Sequence, residues 1–396
     1  MKKFLSLLLA MTLVATLFAC GNKASAPAAE TTVAVSQEAA SNATFKIGGI
    51  GPTTGGPAVY GQAVKNAIQI AVDEINANGG YNGYQVEYRF EDDEHDAEKS
   101  VNAYNSLKDW GMQMLIGSVT SSPCIAVADK TLSDNMFQIT PSGSAVECAA
   151  NPNVFRMCFS DPNQGIASAQ YIDAHNLAKK VGVIYDASDV YSSGIADKFR
   201  SEAAGKSFEI VAEEQFTADN KTDFTTQLTK IKAAGADLVF LPFYYTEAAL
   251  VLNQAKQMDY APTFFGCDGM DGILTLEGFD KSLAEGLMLL TPFSADATDE
   301  LTQNFVKNYQ NKYGDIPNQF AADAYDCAYT LKLAIEKANV TPSSSVSDIC
   351  NALKETMTSI TQKGLTGDSI SWQANGEPNK TPKAVVIKDG VYVLAD

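Results

Sequence analysis

Hydroxyl side chains crowd two short loops of this chain, each following an apolar run. Met114-Leu115-Ile116-Gly117 leads into Ser118-Val119-Thr120-Ser121-Ser122-Pro123, and Ile139-Thr140 leads into Pro141-Ser142-Gly143-Ser144. Read as strands ending in helix N-termini, these loops offer hydroxyl and amide donors, and Pro123 suits a first helical turn. Such a place favours an anion such as a carboxylate. Helix capping explains either loop taken alone. The second half carries different chemistry at comparable positions: Asp189-Val190-Tyr191-Ser192, then Pro242-Phe243-Tyr244-Tyr245 after Leu241, then Cys267-Asp268-Gly269 after Phe265-Gly266. An acid among aromatic rings suits an ammonium group. The plainer alternative is that Asp268 caps a helix and the tyrosines sit on a rim. One half offering anion donors and the other an acid fits a zwitterion held between two lobes.

A third loop joins them. Phe45 to Ile50 is a short apolar run, followed by Gly51-Pro52-Thr53-Thr54-Gly55-Gly56-Pro57-Ala58-Val59-Tyr60-Gly61. Val64, Ile68, Val72 and Ile75 then recur at helical spacing, and Gly79-Gly80 supplies a stop. Tyr60 therefore stands at the mouth of a strand–loop–helix unit, where α/β sheets bind small ligands.

Catalytic readings find little support. No phosphate-loop pattern is present, and Gly49-Ile50-Gly51 has Thr54 where a dinucleotide fingerprint needs its third glycine. The chain has 2 histidines. His175 reads as a solvated helix-end residue, and His95 lies in the run Glu91-Asp92-Asp93-Glu94-His95-Asp96, which reads as a solvated acidic loop lacking the glycine of a calcium loop. No nucleophile–base pair stands out, so an enzyme is not expected; neither is a metal nor any other cofactor.

The elements that must position these loops alternate along the chain. Strands are expected at Val86–Phe90, Met112–Ile116, Met136–Thr140, Val181–Tyr185, around Ile210, at Leu238–Leu241 and at Thr263–Phe265. Helices are expected at 97–110, 123–133, 164–177, from about 192, at 224–234 and at 246–258. The C-terminal third adds helices at 300–313, 320–338 and 346–356. A hairpin with an Asp389-Gly390 turn closes the chain. This is an α/β succession with parallel-type sheets.

Composition bounds the partners. The 396 residues carry 29 basic and 47 acidic side chains, a net charge of −18, which disfavours nucleic acid and anionic lipid surfaces. Membrane attachment would have to be covalent. Lys2 and Lys3 followed by the apolar run Phe4–Phe18 read as a signal peptide. Its end, Leu17-Phe18-Ala19-Cys20-Gly21, resembles the lipobox of bacterial lipoproteins, which implies cleavage before Cys20 and lipid on its thiol. Residues 1–19 are thus leader, and 20–44 a lipidated cysteine and flexible tether. Of the 7 cysteines, Cys148/Cys158 and Cys327/Cys350 are candidate disulfide pairs.

Gly51 to Gly80 with Tyr81-Asn82-Gly83, Leu115-Ile116-Gly117, Ser121-Ser122, Ile139-Thr140-Pro141, Tyr191, Asp223-Phe224 and Ala284-Glu285-Gly286-Leu287 resemble the leucine/isoleucine/valine-binding proteins of ABC importers. The resemblance spans nearly all of the mature chain. It implies two Rossmann-like lobes joined by a three-crossover hinge, with residues 45–161 plus 292–365 in one lobe and 162–291 plus 366–396 in the other. It implies a protein that closes on an amino acid, branched-chain or another small apolar one, and then docks on a permease. By the same resemblance Ser121 and Ser144, with backbone around Ser142, contact ligand carboxylate and ammonium, while Tyr191, Tyr244 and Asp268 contact it from the second lobe. Tyr60 would face the ligand side chain. Two departures stand out: the family's first-lobe disulfide would fall at His95 and Thr120, and Asp268 is one methylene shorter than the usual Glu. Relatives of the family take amides, urea or aromatic acids, or serve receptors as sensors, so these are the alternatives. The chain is expected to be an exported monomer, lipid-anchored and facing the periplasm or cell exterior.

Overall fold

The computed structural model describes residues 43–395. The leader, Cys20 and all but the last two residues of the tether lie outside them.

Two sheets form the frame. The first holds β1 (Phe45–Gly51), β2 (Val86–Asp92), β3 (Met114–Ile116), β4 (Phe137–Thr140) and β5 (Val154–Arg156) in the order β2-β1-β3-β4-β5. All its pairings are parallel. Every residue of β3 and β4 is buried, as expected of strands covered on both faces. Between them run α1 (Ala58–Ala77), α2 (Ala97–Trp110) and α3 (Ser121–Asp134).

The second sheet contains β6 (Lys180–Asp186), β7 (Glu209–Phe216), β8 (Leu238–Leu241), β9 (Thr263–Gly266) and β10 (Met288–Thr291). A C-terminal hairpin, β11 (Lys383–Lys388) and β12 (Val391–Leu394), extends it to the order β12-β11-β10-β9-β8-β6-β7. The hairpin pairs antiparallel with β10 and within itself; the remaining pairs are parallel. Its turn residues Asp389 and Gly390 have φ of 52° and 75°, the left-handed pair a tight hairpin requires. The helices here are α4 (Asp161–Ala174), α5 (Val190–Ala203), α6 (Thr225–Ala234) and α7 (Tyr245–Gln257).

The long C-terminal helices α8 (Glu300–Tyr313), α9 (Gln319–Ala338) and α10 (Val346–Met357) return to the first sheet. α9 packs along α1, and α10 reaches β4. Tyr325 and Tyr329 donate their hydroxyls to Glu74 of α1 at 2.6 and 3.0 Å. The chain thus passes between lobes after β5, after β10 and before β11.

Both sheets share one strand sequence, 2-1-3-4-5 in the first and 7-6-8-9-10 in the second. Strand order reverses between β1 and β3, and again between β6 and β8. Open α/β sheets leave a crevice at that point, outside the strand C-terminal ends. The helix starts there carry Tyr60 and Ser121 in one lobe, Tyr191 and Tyr244 in the other.

Three expectations need correction. All six described cysteines are buried and unbridged, so neither expected disulfide forms; Cys148 instead directs its thiol to the Ser121 carbonyl at 3.5 Å. The acidic run after β2 is not simply solvated. Asp93 is fully buried and accepts from the His95 N–H at 3.0 Å, while Asp92 accepts from Thr53 N–H and the Thr54 hydroxyl at 2.8 and 2.6 Å, pinning the Gly51–Gly61 loop. Finally, helix α3 begins at Ser121, two residues before Pro123.

Candidate functional site

Tyr60, Ser121, Ser142, Ser144, Tyr191, Tyr244 and Asp268 all line one closed cleft between the lobes, with Val119, Thr120, Gly269 and Phe320. The sequence reading named the first seven. It missed Phe320, because that residue comes from α9, far along the chain.

The first-lobe wall is built from hydroxyls that do not cap their helix. Thr120 precedes α3, yet no side chain caps that N-terminus. Its hydroxyl instead shares a 2.9 Å hydrogen bond with His95 Nδ1. Ser121 Oγ accepts from the Ala145 N–H at 3.2 Å, and Ser142 donates to the Val119 carbonyl at 2.6 Å. Ser144 Oγ is buried without a partner. Uncapped amides and an idle hydroxyl are the donors that an incoming carboxylate needs.

Arg156, at the end of β5, holds this wall from behind. It is fully buried. Its guanidinium donates to the carbonyls of Gly143, Ser144, Ala145 and Val146 and pairs with Glu377 at 3.2 Å. The Arg156 carbonyl accepts from Trp372 Nε1 at 2.8 Å. The serine loop is therefore fastened to the chain segment that leads back into β11.

The second-lobe wall centres on Asp268, which is 3% exposed. It does not cap a helix. Its carboxylate accepts from the Tyr191 hydroxyl at 2.7 Å, and that hydroxyl accepts from the Gly269 N–H at 2.9 Å. Gln164 on α4 receives the Asp268 N–H at 3.0 Å. Burial pushes the Asp268 carboxyl up to about 6; Tyr191, Gln164 and the Gly269 amide draw it down and Asp323 adds to the rise. A second acid, Asp161, lies fully buried behind the cleft with neither carboxyl oxygen partnered. Burial raises it well above the carboxylate range, and Asp268 reinforces the rise.

Aromatic rings close the mouth. Tyr191 and Tyr244 stack at 5.0 Å and 6°. His95 of the first lobe meets Tyr244 edge-on at 5.4 Å. Tyr60 packs against Phe320, Tyr244 and Tyr245 at 4.2–5.8 Å, and its hydroxyl donates across the cleft to the Gly269 carbonyl. Tyr245 answers by donating to the Gly56 carbonyl at 2.8 Å. The remaining cavity is about 10 Å³, near the volume one water needs. A ligand larger than a water needs the cleft to open, a motion of the hinge type.

Sequence profiles fit this geometry. The family described as "Periplasmic binding protein" matches residues 44–390. The chain belongs to the periplasmic binding protein family. A Leu/Ile/Val-binding protein, BraC3, of Rhizobium johnstonii is 31% identical over 75% of this chain and 80% of its own length. A leucine-, isoleucine-, valine-, threonine- and alanine-binding protein of Pseudomonas aeruginosa is 28% identical over 78% of this chain and 82% of its own. Among solved structures, the branched-chain amino acid transporter substrate-binding protein LivJ of Streptococcus pneumoniae, in complex with isoleucine, superposes with a TM-score of 0.81. It shows 28% identity and covers 89% of this chain and 99% of its own. The leucine-binding protein LivK of Thermotoga maritima gives 0.78 at 26% identity, over 89% and 98%. The fold is thus that of the type I periplasmic binding proteins, and the family is one of transport binding proteins rather than enzymes. Family membership implies a place outside the cytoplasm. Among the described residues no helix is long and apolar enough to cross a membrane.

Proposed function

We propose that this protein captures a branched-chain or other small apolar amino acid between its lobes and delivers it to an ABC importer. The observation that carries the reading is the polarity of the cleft: unused hydroxyl and amide donors face a buried carboxylate across it. The ligand carboxylate would seat on Ser121 and Ser144 with backbone near Ser142. The ligand ammonium would pair with Asp268, beside Tyr191 and Tyr244. Charge-assisted bonds of this kind are strong when water is excluded, and a ligand lacking either charge leaves its partner stranded. Phe320, Val119 and the ring of Tyr60 would bound the ligand side chain.

The relatives named for leucine, isoleucine and valine favour the same class. The lobes are taken as 45–161 plus 292–365 and 162–291 plus 366–396. The end of β10 at Thr291 supports the boundary at 291/292. The protein would act as a monomer, held at the membrane by lipid on Cys20 and working with a permease.

Calorimetric titration with leucine, isoleucine and valine tests the ligand. Saturable binding of these, and none of the corresponding amides, is expected; binding of amides or aromatic acids alone would refute the reading. Fractionation of a Cys20→Ser variant tests the anchor: the protein should leave the membrane fraction.

A further inference from the structure

The acidic run after β2 bends in a way that most loops avoid. Glu94 and His95 have φ of 50° and 61°, two consecutive left-handed residues, neither of them glycine. Histidine enters this region more readily than most side chains, yet it is uncommon there. The bend is fixed from below. Asp92 accepts from the Glu94 N–H and Asp93 from the His95 N–H, each at 3.0 Å. Asp96 donates its N–H to the Asp93 carbonyl at 2.8 Å. Backbone strain of this kind persists where the surroundings over-determine it, and it gathers at ligand clamps and switch regions.

What the bend delivers is the imidazole of His95, and that ring touches both walls. Its Nδ1 bonds the hydroxyl of Thr120, the residue before Ser121 on the first-lobe wall, at 2.9 Å. Across the cleft it meets Tyr244, the residue before α7, at 5.4 Å and 86°, the favoured edge-to-face arrangement. Lys221, Glu247 and Asp186 of the second lobe also face the ring, and Lys221 pairs with Glu247 at 3.1 Å. Burial draws the imidazole below its ordinary value; Lys221 adds to the fall, while Glu247, Asp186 and Asp96 oppose it. The ring is therefore neutral at pH 7.

The contact reaches the cleft acid in two steps. Tyr244 lies flat on Tyr191 at 5.0 Å, and Tyr191 donates to Asp268 at 2.7 Å. A first-lobe ring bearing on Tyr244 thus steadies the second-lobe acid, and it does so only while the lobes are together.

We propose, resting on amino-acid capture as the function, that His95 is a positioning residue that latches the closed cleft. Its ring, oriented by Thr120, bears on the Tyr244–Tyr191 stack and slows release of the ligand. The strained bend is what carries the ring far enough to reach the opposite lobe.

The test is a stopped-flow chase of leucine, isoleucine and valine from the whole protein. His95→Asn keeps a polar atom where Nδ1 stands, removes the outer part of the ring and suits a left-handed residue. Release should quicken by about fivefold, while the melting temperature of the ligand-free protein does not fall. In a Tyr244→Leu background the partner ring is gone, so His95→Asn should change release by less than about twofold. If Tyr244→Leu binds too weakly to follow, the rate and melting temperature of His95→Asn decide. Equal release from His95→Asn and wild type, the same gain in the Tyr244→Leu background, or a lower melting temperature would overturn the latch alone. Wild type that binds none of the three amino acids would overturn the ligand reading and the latch together.

Discussion

The two walls of the cleft place their charge at opposite depths. On the second lobe the charge is at the front: Asp268 lines the cleft, held by neutral donors and acceptors from Tyr191 and Gln164. On the first lobe the front is neutral, and the charge sits one layer back in Arg156, consumed by four carbonyls of the serine loop. A front charge acts on the ligand; a rear charge acts on the shape of the loop that meets the ligand. Affinity and stability should therefore separate between the two walls.

The largest effect should come from the front charge. Asp268→Ala strands the ligand ammonium in a desolvated site, and breaking such a pair costs about 3–5 kcal/mol, or roughly two to four powers of ten in affinity. Calorimetry should show that loss while the melting temperature of the unliganded protein does not drop. The rear charge should do the reverse. Arg156→Met leaves buried carbonyls without donors and should cost about 3 kcal/mol of folding stability by denaturant titration. If Arg156→Met keeps its stability but loses affinity, the division between front and rear charge fails.

A smaller effect should follow pH. The Asp268 carboxyl is pushed up to about 6, and the ammonium pairs with its ionised form. Lowering the pH from 7 to 5 should weaken binding by about tenfold, and Asp268→Asn should flatten that dependence. The sign for unliganded stability is opposite. An acid whose folded value is raised binds protons more readily folded than unfolded, so this group's contribution grows as pH falls through 6 toward the ordinary carboxylate value. The smallest effect should come from Tyr60→Phe, which removes one neutral hydrogen bond across the cleft. About 1 kcal/mol is expected, seen as a roughly fivefold change in affinity.

Legibility in the sequence tracked how local each determinant was. Tyr60, Ser121, Ser144, Tyr191 and Tyr244 could be found because each lies in a loop or at a helix start just past an apolar strand, where the pattern of one segment suffices. Strands β3, β4 and β8 were readable as buried runs for the same reason. Strand β5 was not, because it ends on an arginine that breaks its apolar run; β10 was passed over although Met288-Leu289-Leu290 is as apolar as those. Arg156, Asp161 and Gln164 act through contacts with loops elsewhere in the chain, so nothing in their own neighbourhood announces them. The positions where the resemblance implied a missing disulfide, His95 and Thr120, do meet, but through a 2.9 Å hydrogen bond. The expected cysteine pairs failed because spacing cannot reveal which thiols are neighbours; here each is packed as a small apolar side chain.

Those cysteines bear on how the protein comes apart. Six thiols sealed in the interior ask for no oxidant during folding, and while the chain stays folded they are shielded from one. Unfolding would expose these six thiols, none of which has a disulfide partner among the described residues. In air, mismatched bridges would trap the opened chain, so recovery after heating is expected to be greater with a reductant present, and without one durability becomes a rate of escape.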